Sequence, residues 1–306
     1  MNGASDLAID PETKARVDKV FARMPSWKAG AALSPLTGGL TNQNFRVDAG
    51  GESFVLRLAG RNTGLLGIDR HREAACARAA ASTGLGAELV AFIEDAQALV
   101  LRFLEGRTLK AEDAAKPEML PRIARALKSC HQGPAFPGLF SPFETVRQYH
   151  ALAEERGVAF PDSLPRLFAL MDRIEKALGP PERLVPCHND LLAANFIDQG
   201  APLRLIDWEY AAMGDPFFDL GNFAVNQNLG IKACRTLLEE YQGRARPKDL
   251  ARLRLMRLAS DLREAFWGFL QAGISKLGHD YLAYGAKHLE RFLAGTTHRN
   301  FEGWLK

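Results

Sequence analysis

Two short apolar runs, Leu184 to Cys187 and Leu203 to Ile206, bracket a polar loop carrying His188, Asn189, Asp190 and Asn195, and Asp207 follows directly after the second run. No other feature constrains the fold as much. Two strands joined by a tight loop bring Asn195 and Asp207 together although they lie twelve residues apart. Phosphoryl transfer asks for such a set: a carboxylate to orient a hydroxyl nucleophile, and hard oxygen ligands for Mg2+. Asp190 suits the first task. The amide oxygen of Asn195 and the carboxylate of Asp207 suit the second. His188, in the same catalytic loop as Asp190, reads mainly as a brace for the loop backbone. A metal site built on it would lack a third ligand at helical or strand spacing.

The 306 residues, against roughly 100–200 per domain, predict two lobes. Asp10-Pro11-Glu12 reads as a helix start, and Val17, Val20, Phe21 and Met24 recur at helical spacing. That helix is expected to pack on the lobe that follows. Asn44 to Asp48 and Ser53 to Leu58 read as strands around an Ala49-Gly50-Gly51-Glu52 turn. A helix capped by Asp69 runs to about Ser82, and Glu88 to Ile93 and Ala98 to Phe103 are two more strand candidates. Beyond Gly106 the pattern is mainly helical, over 112–132, 163–178 and from Ile231 onward, with PGLFSPF and Arg244 to Lys248 as loops. The expectation is an α+β chain: a small antiparallel-sheet lobe over 1–104, a hinge near 103–106, and a mainly α lobe over 105–306.

Hydrophobic residues make up 47% and charged residues 25%, ordinary for a folded protein, and the net charge of +3 argues for neither nucleic acid nor membrane. No apolar run approaches the roughly 18 residues a bilayer span needs. The start, MNGASDLAID, has neither a basic nor an apolar segment of a signal peptide. Cys76, Cys130, Cys187 and Cys234 have no metal or redox spacing and read as reduced thiols of a cytoplasmic protein. Oligomeric state is not legible.

His188-x-Asp190-x4-Asn195 matches the protein-kinase catalytic loop in spacing, with Asp207 where the metal-binding Asp of the next motif would stand. Trp208-Glu209 in place of Phe-Gly, and the short distance to Asp219, depart from protein kinases. HND…N followed by IDWEYA…FDLGNF resembles the choline/ethanolamine kinase family, within the aminoglycoside-phosphotransferase-like small-molecule kinases. GGLTNQNF from Gly38 looks like that family's nucleotide loop, and SDLREAFWGFLQAGIS…DYLAYGAKHLERF like its C-terminal helical signature. The likeness covers roughly residues 35–292 and lies nearest the bacterial choline kinases that supply phosphocholine for cell-surface decoration.

The resemblance implies a bilobal protein-kinase-like fold, ATP and Mg2+ as cofactors, and a small acceptor alcohol. Gly38 and Gly39 would let backbone N–H groups approach phosphates, with Thr41, Asn42 and Asn44 adding donors. Arg57 stands in the strand where kinases carry a cation for the phosphates, Glu73 in the next helix would hold it, and Phe103 and Leu104 would face adenine. Trp267, Tyr281 and Tyr284 fall in the helical signature and suit a cationic head through cation–π attraction. Trp208 and Tyr210 flank the metal Asp and extend that candidate set, with Glu264 for negative charge, while Asp219 reads as a brace for the catalytic loop. Choline kinases often carry a second aromatic one turn beyond the Trp; here Leu270 stands there, which leaves ethanolamine, thiamine or an aminoglycoside as alternatives to choline. A kinase-shaped binding protein without catalysis is the reading from another class.

Overall fold

The computed structural model describes residues 9–27, 30–36, 42–275 and 278–306. Helix α1 (Pro11–Arg23) starts where the Asp10 carboxylate accepts from the backbone N–H groups of Glu12 and Thr13, each at 3.1 Å. Its apolar stripe, Val17, Val20 and Met24 with Trp27 beyond, shares a core with the sheet that follows, as the sequence led one to expect. That sheet comprises β1 (Ala31–Leu36), β2 (Asn42–Ala49), β3 (Glu52–Ala59), β4 (Leu89–Ile93) and β5 (Ala98–Arg102), all neighbours antiparallel, in the order β1-β2-β3-β5-β4. Gly50 and Gly51 both take positive φ (61° and 80°), so the β2–β3 hairpin closes in two residues. Strand β1 was not legible: it is an edge strand containing Pro35, and its burial alternates over only its first four residues.

Between β3 and β4, α2 (Arg70–Ser82) is capped by Asp69 and buries Ala74, Cys76, Ala77 and Ala80, small residues that let it lie close to its neighbours. Past β5 come β6 (Arg107–Thr108), α3 (Ala111–Ala114), α4 (Leu120–His131), α5 (Pro142–Glu154) and α6 (Leu164–Leu178). The helix expected over 112–132 is thus two pieces, broken around Lys116-Pro117, where proline has no N–H to continue the ladder. The SPF part of PGLFSPF is not loop: Ser141 caps α5 and Pro142 is its first residue.

Strand β7 (Val185–Cys187) pairs with β10 (Ala212–Gly214), while β8 (Phe196–Asp198) and β9 (Arg204–Leu205) pair with each other and, through β8, with β6. Helices α7 (Pro216–Asn226), α8 (Ile231–Gln242), α9 (Pro247–Ile274), α10 (Tyr281–Thr296) and α11 (Phe301–Trp304) complete the chain. Helix α9 has 28 residues and is buried on nearly every side from Leu258 to Gln271, packed by α5, α7 and α10. No helix among the described residues is long and apolar enough to cross a membrane.

Two glycines set the approach of α10 to α9. A Cβ on Gly268 would lie 2.8 Å from the Gly285 backbone nitrogen, and one on Gly285 would lie 2.9 Å from the Ala265 carbonyl oxygen. In an unobstructed helix interior Gly→Ala stabilises by about 1 kcal/mol. Here the added methyl meets backbone, so Gly285→Ala is expected to destabilise by about 1–3 kcal/mol in urea unfolding. A stabilised Gly285→Ala variant would show that the two helices do not approach this closely.

Candidate active site

Strand β3 turns the Arg57 side chain inward, where it is 7% exposed. Arg57 Nη2 lies 2.6 Å from Asp207 Oδ1 and 2.9 Å from Glu209 Oε2, and Nε lies 3.4 Å from Glu73 Oε1. Arg70, one turn before Glu73 on α2, reaches Glu73 at 2.5 Å and Glu209 at 3.2 Å. Asn42 donates to Glu209 at 2.9 Å and accepts from Arg70 at 3.0 Å. Strand, helix and the segment after β9 are therefore joined by two guanidinium groups and three carboxylates. Burial by itself pulls the Arg57 pKa down, but Asp207, Glu73 and Glu209 together raise it, so it stays charged. Burial, then Asp207, push the Glu209 carboxyl up against the pull of Arg57 and Arg70.

Among the described residues this cluster has one carboxylate more than it has cations. Glu73 and Glu209 side chains are 2% and 4% exposed, whereas Asp207 is 28% exposed, so Asp207 is the carboxylate most open to a ligand. Asn195 donates its amide N–H to the Asp190 carbonyl (2.8 Å), which leaves its amide oxygen available. A backbone bond from Ile206 N–H to the Asn195 carbonyl (3.0 Å) holds the Asn195 and Asp207 segments side by side. Hard oxygen donors around an excess negative charge fit a divalent cation of the Mg2+ type.

Helix α7 holds the catalytic loop by its backbone. Asp219, wholly buried, accepts from the N–H groups of His188 and Asn189, each at 2.8 Å, and lies 2.9 Å from His131 Nε2. Three residues on, on the same helix face, Asn222 accepts from Leu191 N–H (2.5 Å) and donates to Ser260 on α9 (2.9 Å). Burial opposes ionisation of Asp219, yet the hydrogen bond and charge of His131 and the His188 N–H hold its pKa below the usual value. His131, Cys187 and Asp219 bring potential ligand atoms within 4.8 Å of one another. Both Asp219 oxygens are already occupied and burial pushes the Cys187 thiol pKa well up, so this trio is a brace for the loop. Asn189 and Asp207 both take left-handed backbone angles (φ 65° and 69°), a conformation Asn and Asp tolerate better than branched residues.

Asp190 sits at the end of this held segment, its side chain 17% exposed. Burial raises its pKa well above the usual carboxylate range; Arg263 opposes this, while Glu264, Asp207 and Glu209 add to it. Arg263 on α9 is buried with Nη2 2.5 Å from the Asn189 carbonyl and 3.9 Å from Asp190 Oδ1, and its guanidinium lies 5.1 Å from the Tyr210 ring centre. Glu264 pairs with Arg263 at 2.7 Å and accepts from the Tyr284 hydroxyl, also at 2.7 Å. Trp267 donates to the Tyr210 hydroxyl (3.0 Å) and packs edge-on against Tyr281 and Tyr284, with centroids 5.8 and 5.4 Å away. The acid, the guanidinium and the aromatic group thus meet on one stretch of α9.

Several expectations change. Gly38, Gly39 and Thr41 lie outside the described residues. Asn42 is tied into the Glu209–Arg70 network, donating to the first and accepting from the second. Arg57 is likewise turned to carboxylates, with Glu73 holding it as expected. Asn44 is half-buried, opposite Arg57 across the β2–β3 ladder. Phe103 commits its N–H to Ser53 (2.9 Å) and lies under Arg46, whereas the backbone of Leu104 makes no hydrogen bond among the described residues.

His188 is fully buried and its pKa is lowered by burial. Its Nε2 donates to the Ile206 carbonyl (2.9 Å), which makes it a neutral brace and not a proton-transfer group. Trp208 does not join the other aromatics: it packs on His188 and Phe136 inside the helical core. Asp261 and Asp215 are spoken for, by His288 and Arg291 and by Arg252 respectively. Sequence reasoning missed Arg70, Glu209 and Arg263. The signal for Arg70 and Glu209 was the surplus of acids around one Arg, which a buried site must compensate.

The profile of the phosphotransferase enzyme family (APH) matches residues 32–256. Protein LicA of Haemophilus influenzae is 32% identical over 211 residues, which are 67% of this chain; the chain spans 61% of that relative's length. A probable ethanolamine kinase of Arabidopsis thaliana is 28% identical over 83% of this chain and 76% of its own. Among solved structures, a choline/ethanolamine kinase family protein from Mesorhizobium loti superimposes with a TM-score of 0.81 at 29% identity, covering 95% of this chain and 97% of that one. With the profile spanning most of the chain, the protein belongs to the phosphotransferase enzyme family, as a small-molecule kinase of the choline/ethanolamine kinase type.

Proposed function

We propose that the protein transfers the γ-phosphoryl group of ATP, with Mg2+, to the hydroxyl of a small cationic alcohol, choline or ethanolamine, and does so in the cytoplasm. The observation that carries this reading is the meeting on α9 of Arg263, against Asp190, with Glu264 and Trp267, against Tyr284 and Tyr210. A candidate base on the loop and an acidic aromatic cluster are then both referred to one helix, through Arg263 and Trp267. Asp190 orients the acceptor hydroxyl and takes its proton as oxygen attacks the γ-phosphorus and the bond to ADP breaks. Asn195 and Asp207 are the proposed Mg2+ ligands; bound there, the ion neutralises phosphate charge. Arg57, Arg70 and Glu73 hold Asp207 from behind. Residues 1–104 form the nucleotide lobe, with Leu104 offering open backbone groups to adenine, and 105–306 the catalytic and acceptor lobe. Tyr210, Trp267, Tyr281, Tyr284 and Glu264 form one aromatic and acidic cluster, a set suited to a compact cation, which favours this acceptor class over a polycyclic sugar.

The raised pKa of Asp190 has a direction that kinetics can read. A base works ionised, so kcat should fall as pH drops through a value above the ordinary Asp pKa of about 3.9. Arg263 holds that value down, so Arg263→Gln should move the acid limb to higher pH, beyond any loss in kcat from a looser loop. An unmoved limb would separate Arg263 from Asp190.

Asp190→Asn should lower kcat by about a hundredfold or more while nucleotide still binds; Asp207→Asn should weaken Mg·ATP binding as well, by calorimetry. Near-native kcat in both variants would put the site elsewhere, and full activity in excess EDTA would remove the metal.

The acceptor is tested by ADP release over a panel of alcohols. With choline, Trp267→Ala should raise KM about tenfold, equivalent to about 1.4 kcal/mol of cation–π contact, and leave KM for ATP unchanged. Turnover of thiamine or an aminoglycoside, with none of choline or ethanolamine, would reassign the acceptor and keep the phosphoryl chemistry.

A further inference from the structure

The chain carries a net charge of only +3, but its charge is not evenly spread. A cleft of about 1330 Å³ opens between the C-terminal end of α6, the start of α7, helix α8, the first turns of α9 and the residues around α11. Ten of its lining residues are Lys or Arg and three are Asp or Glu. Its excess of positive charge exceeds that of the whole protein, so the remaining surface is net negative.

Two of the three acids are already used: Asp249 pairs with Arg246 and Asp215 with Arg252. Among the described residues, Lys128, Arg183, Arg235, Arg244 and Lys248 have no ion-pair partner. Arg254 is the most telling. It is half-buried, stacked 4.8 Å from the Trp304 ring centre, with no carboxylate partner among the described residues. Burial and the neighbouring Arg257 both lower its pKa. Holding like charges together in a concave wall costs free energy that a bound counter-anion recovers, and the recess focuses the field.

We propose that this cleft binds a small soluble anion carrying several phosphate groups, an oligophosphate. Guanidinium forks match phosphate oxygens in pairs, and the volume exceeds what a single phosphate would fill. Arg252 and Arg254 are half-buried inside the cleft and the other lining cations are exposed around it, so a small anion can reach both sets, whereas a bilayer or a nucleic-acid duplex presents a broad face that would meet the outer cations alone. The cleft is also connected to the catalytic loop. Tyr241 lines it, and its hydroxyl lies 2.7 Å from His131 Nδ1; His131 Nε2 in turn lies 2.9 Å from Asp219, which holds the His188 and Asn189 N–H groups.

The probe is inorganic tripolyphosphate, titrated calorimetrically into the full chain at low salt with the nucleotide site saturated by a non-hydrolysable ATP analogue and Mg2+. The expected result is saturable binding that weakens with added salt and falls at least about tenfold in the double variant Arg244→Glu/Lys248→Glu, with turnover intact as evidence of folding. Arg254→Gln should weaken binding too. No saturable binding, binding abolished by the ATP analogue, or binding unchanged in the double variant would overturn the proposal. So would stronger charge-dependent binding to vesicles containing anionic phospholipid or to duplex DNA, since either would make the partner a macromolecule. Loss of kinase turnover with every alcohol would fail the function proposed above and leave this binding result standing.

Discussion

Two guanidinium groups and three carboxylates withdrawn from water form the interaction on which the rest of the active site depends. A buried ion is tolerable only when it is paired and its remaining hydrogen bonds are met. Arg57 comes from β3, Arg70 and Glu73 from α2, and Asp207 and Glu209 from the segment after β9. No one of these elements can shift without uncovering an unpaired charge, so the sheet, its helix and the catalytic segment are held in mutual register. The arithmetic of that cluster also has a chemical consequence. Among the described residues it holds one carboxylate more than it has cations, and its most exposed carboxylate, Asp207, is the one open to a further positive charge.

A second constraint holds the catalytic loop through its backbone. Asp219 and Asn222, three residues apart on α7, take up the N–H groups of residues 188, 189 and 191. The loop has no regular secondary structure to satisfy those donors, and buried donors must be satisfied. The helix therefore supplies the acceptors, and the left-handed turn at Asn189 lets successive N–H groups face the same carboxylate. Gly221, between the two acceptors, lets α7 lie against the backbone of α9, 2.8 Å from a would-be Cβ. Loop position is thereby referred to α9, the helix that also carries Glu264 and Trp267.

What could be read from the chain follows from how local each signal is. The strands on either side of Gly50-Gly51, the helix capped by Asp69 and the catalytic-loop spacing are written in contiguous residues, and each appears where expected. Asp219 as a brace was legible through the family resemblance of its motif, although the N–H groups it holds lie 30 and 31 residues away. Arg70 and Arg263 were not, because nothing adjacent in sequence marks them; their partners lie 139 and 74 residues away. Trp208 and Tyr210 show the limit of adjacency in the other direction. Both flank Asp207 by one or three positions, yet one packs into the helical core and the other against Trp267, since a segment without helix or strand period assigns no face. His188 reads mainly as a brace although it stands in the catalytic motif, and complete burial with a carbonyl partner agrees with that role.

Helix α9 divides its labour by spacing. Arg263 and Trp267, four residues apart, lie on one face a turn from each other. The first touches the catalytic loop through Asn189 and Asp190, and the second touches Tyr210, Tyr281 and Tyr284. Glu264 sits between these tasks, paired to Arg263 by one oxygen and hydrogen-bonded to Tyr284 by the other. Its charge is therefore partly met already, which on the function proposed above weakens its pull on an ammonium group and leaves relatively more of the recognition to the rings. At position 270, one turn beyond Trp267, a fully buried Leu adds bulk but no π face. On the function proposed above, acceptor choice turns on a few side chains along one face of α9 and its partner α10, while the phosphate machinery rests on β3, α2 and α7. A fold divided this way can change its acceptor without rebuilding its chemistry.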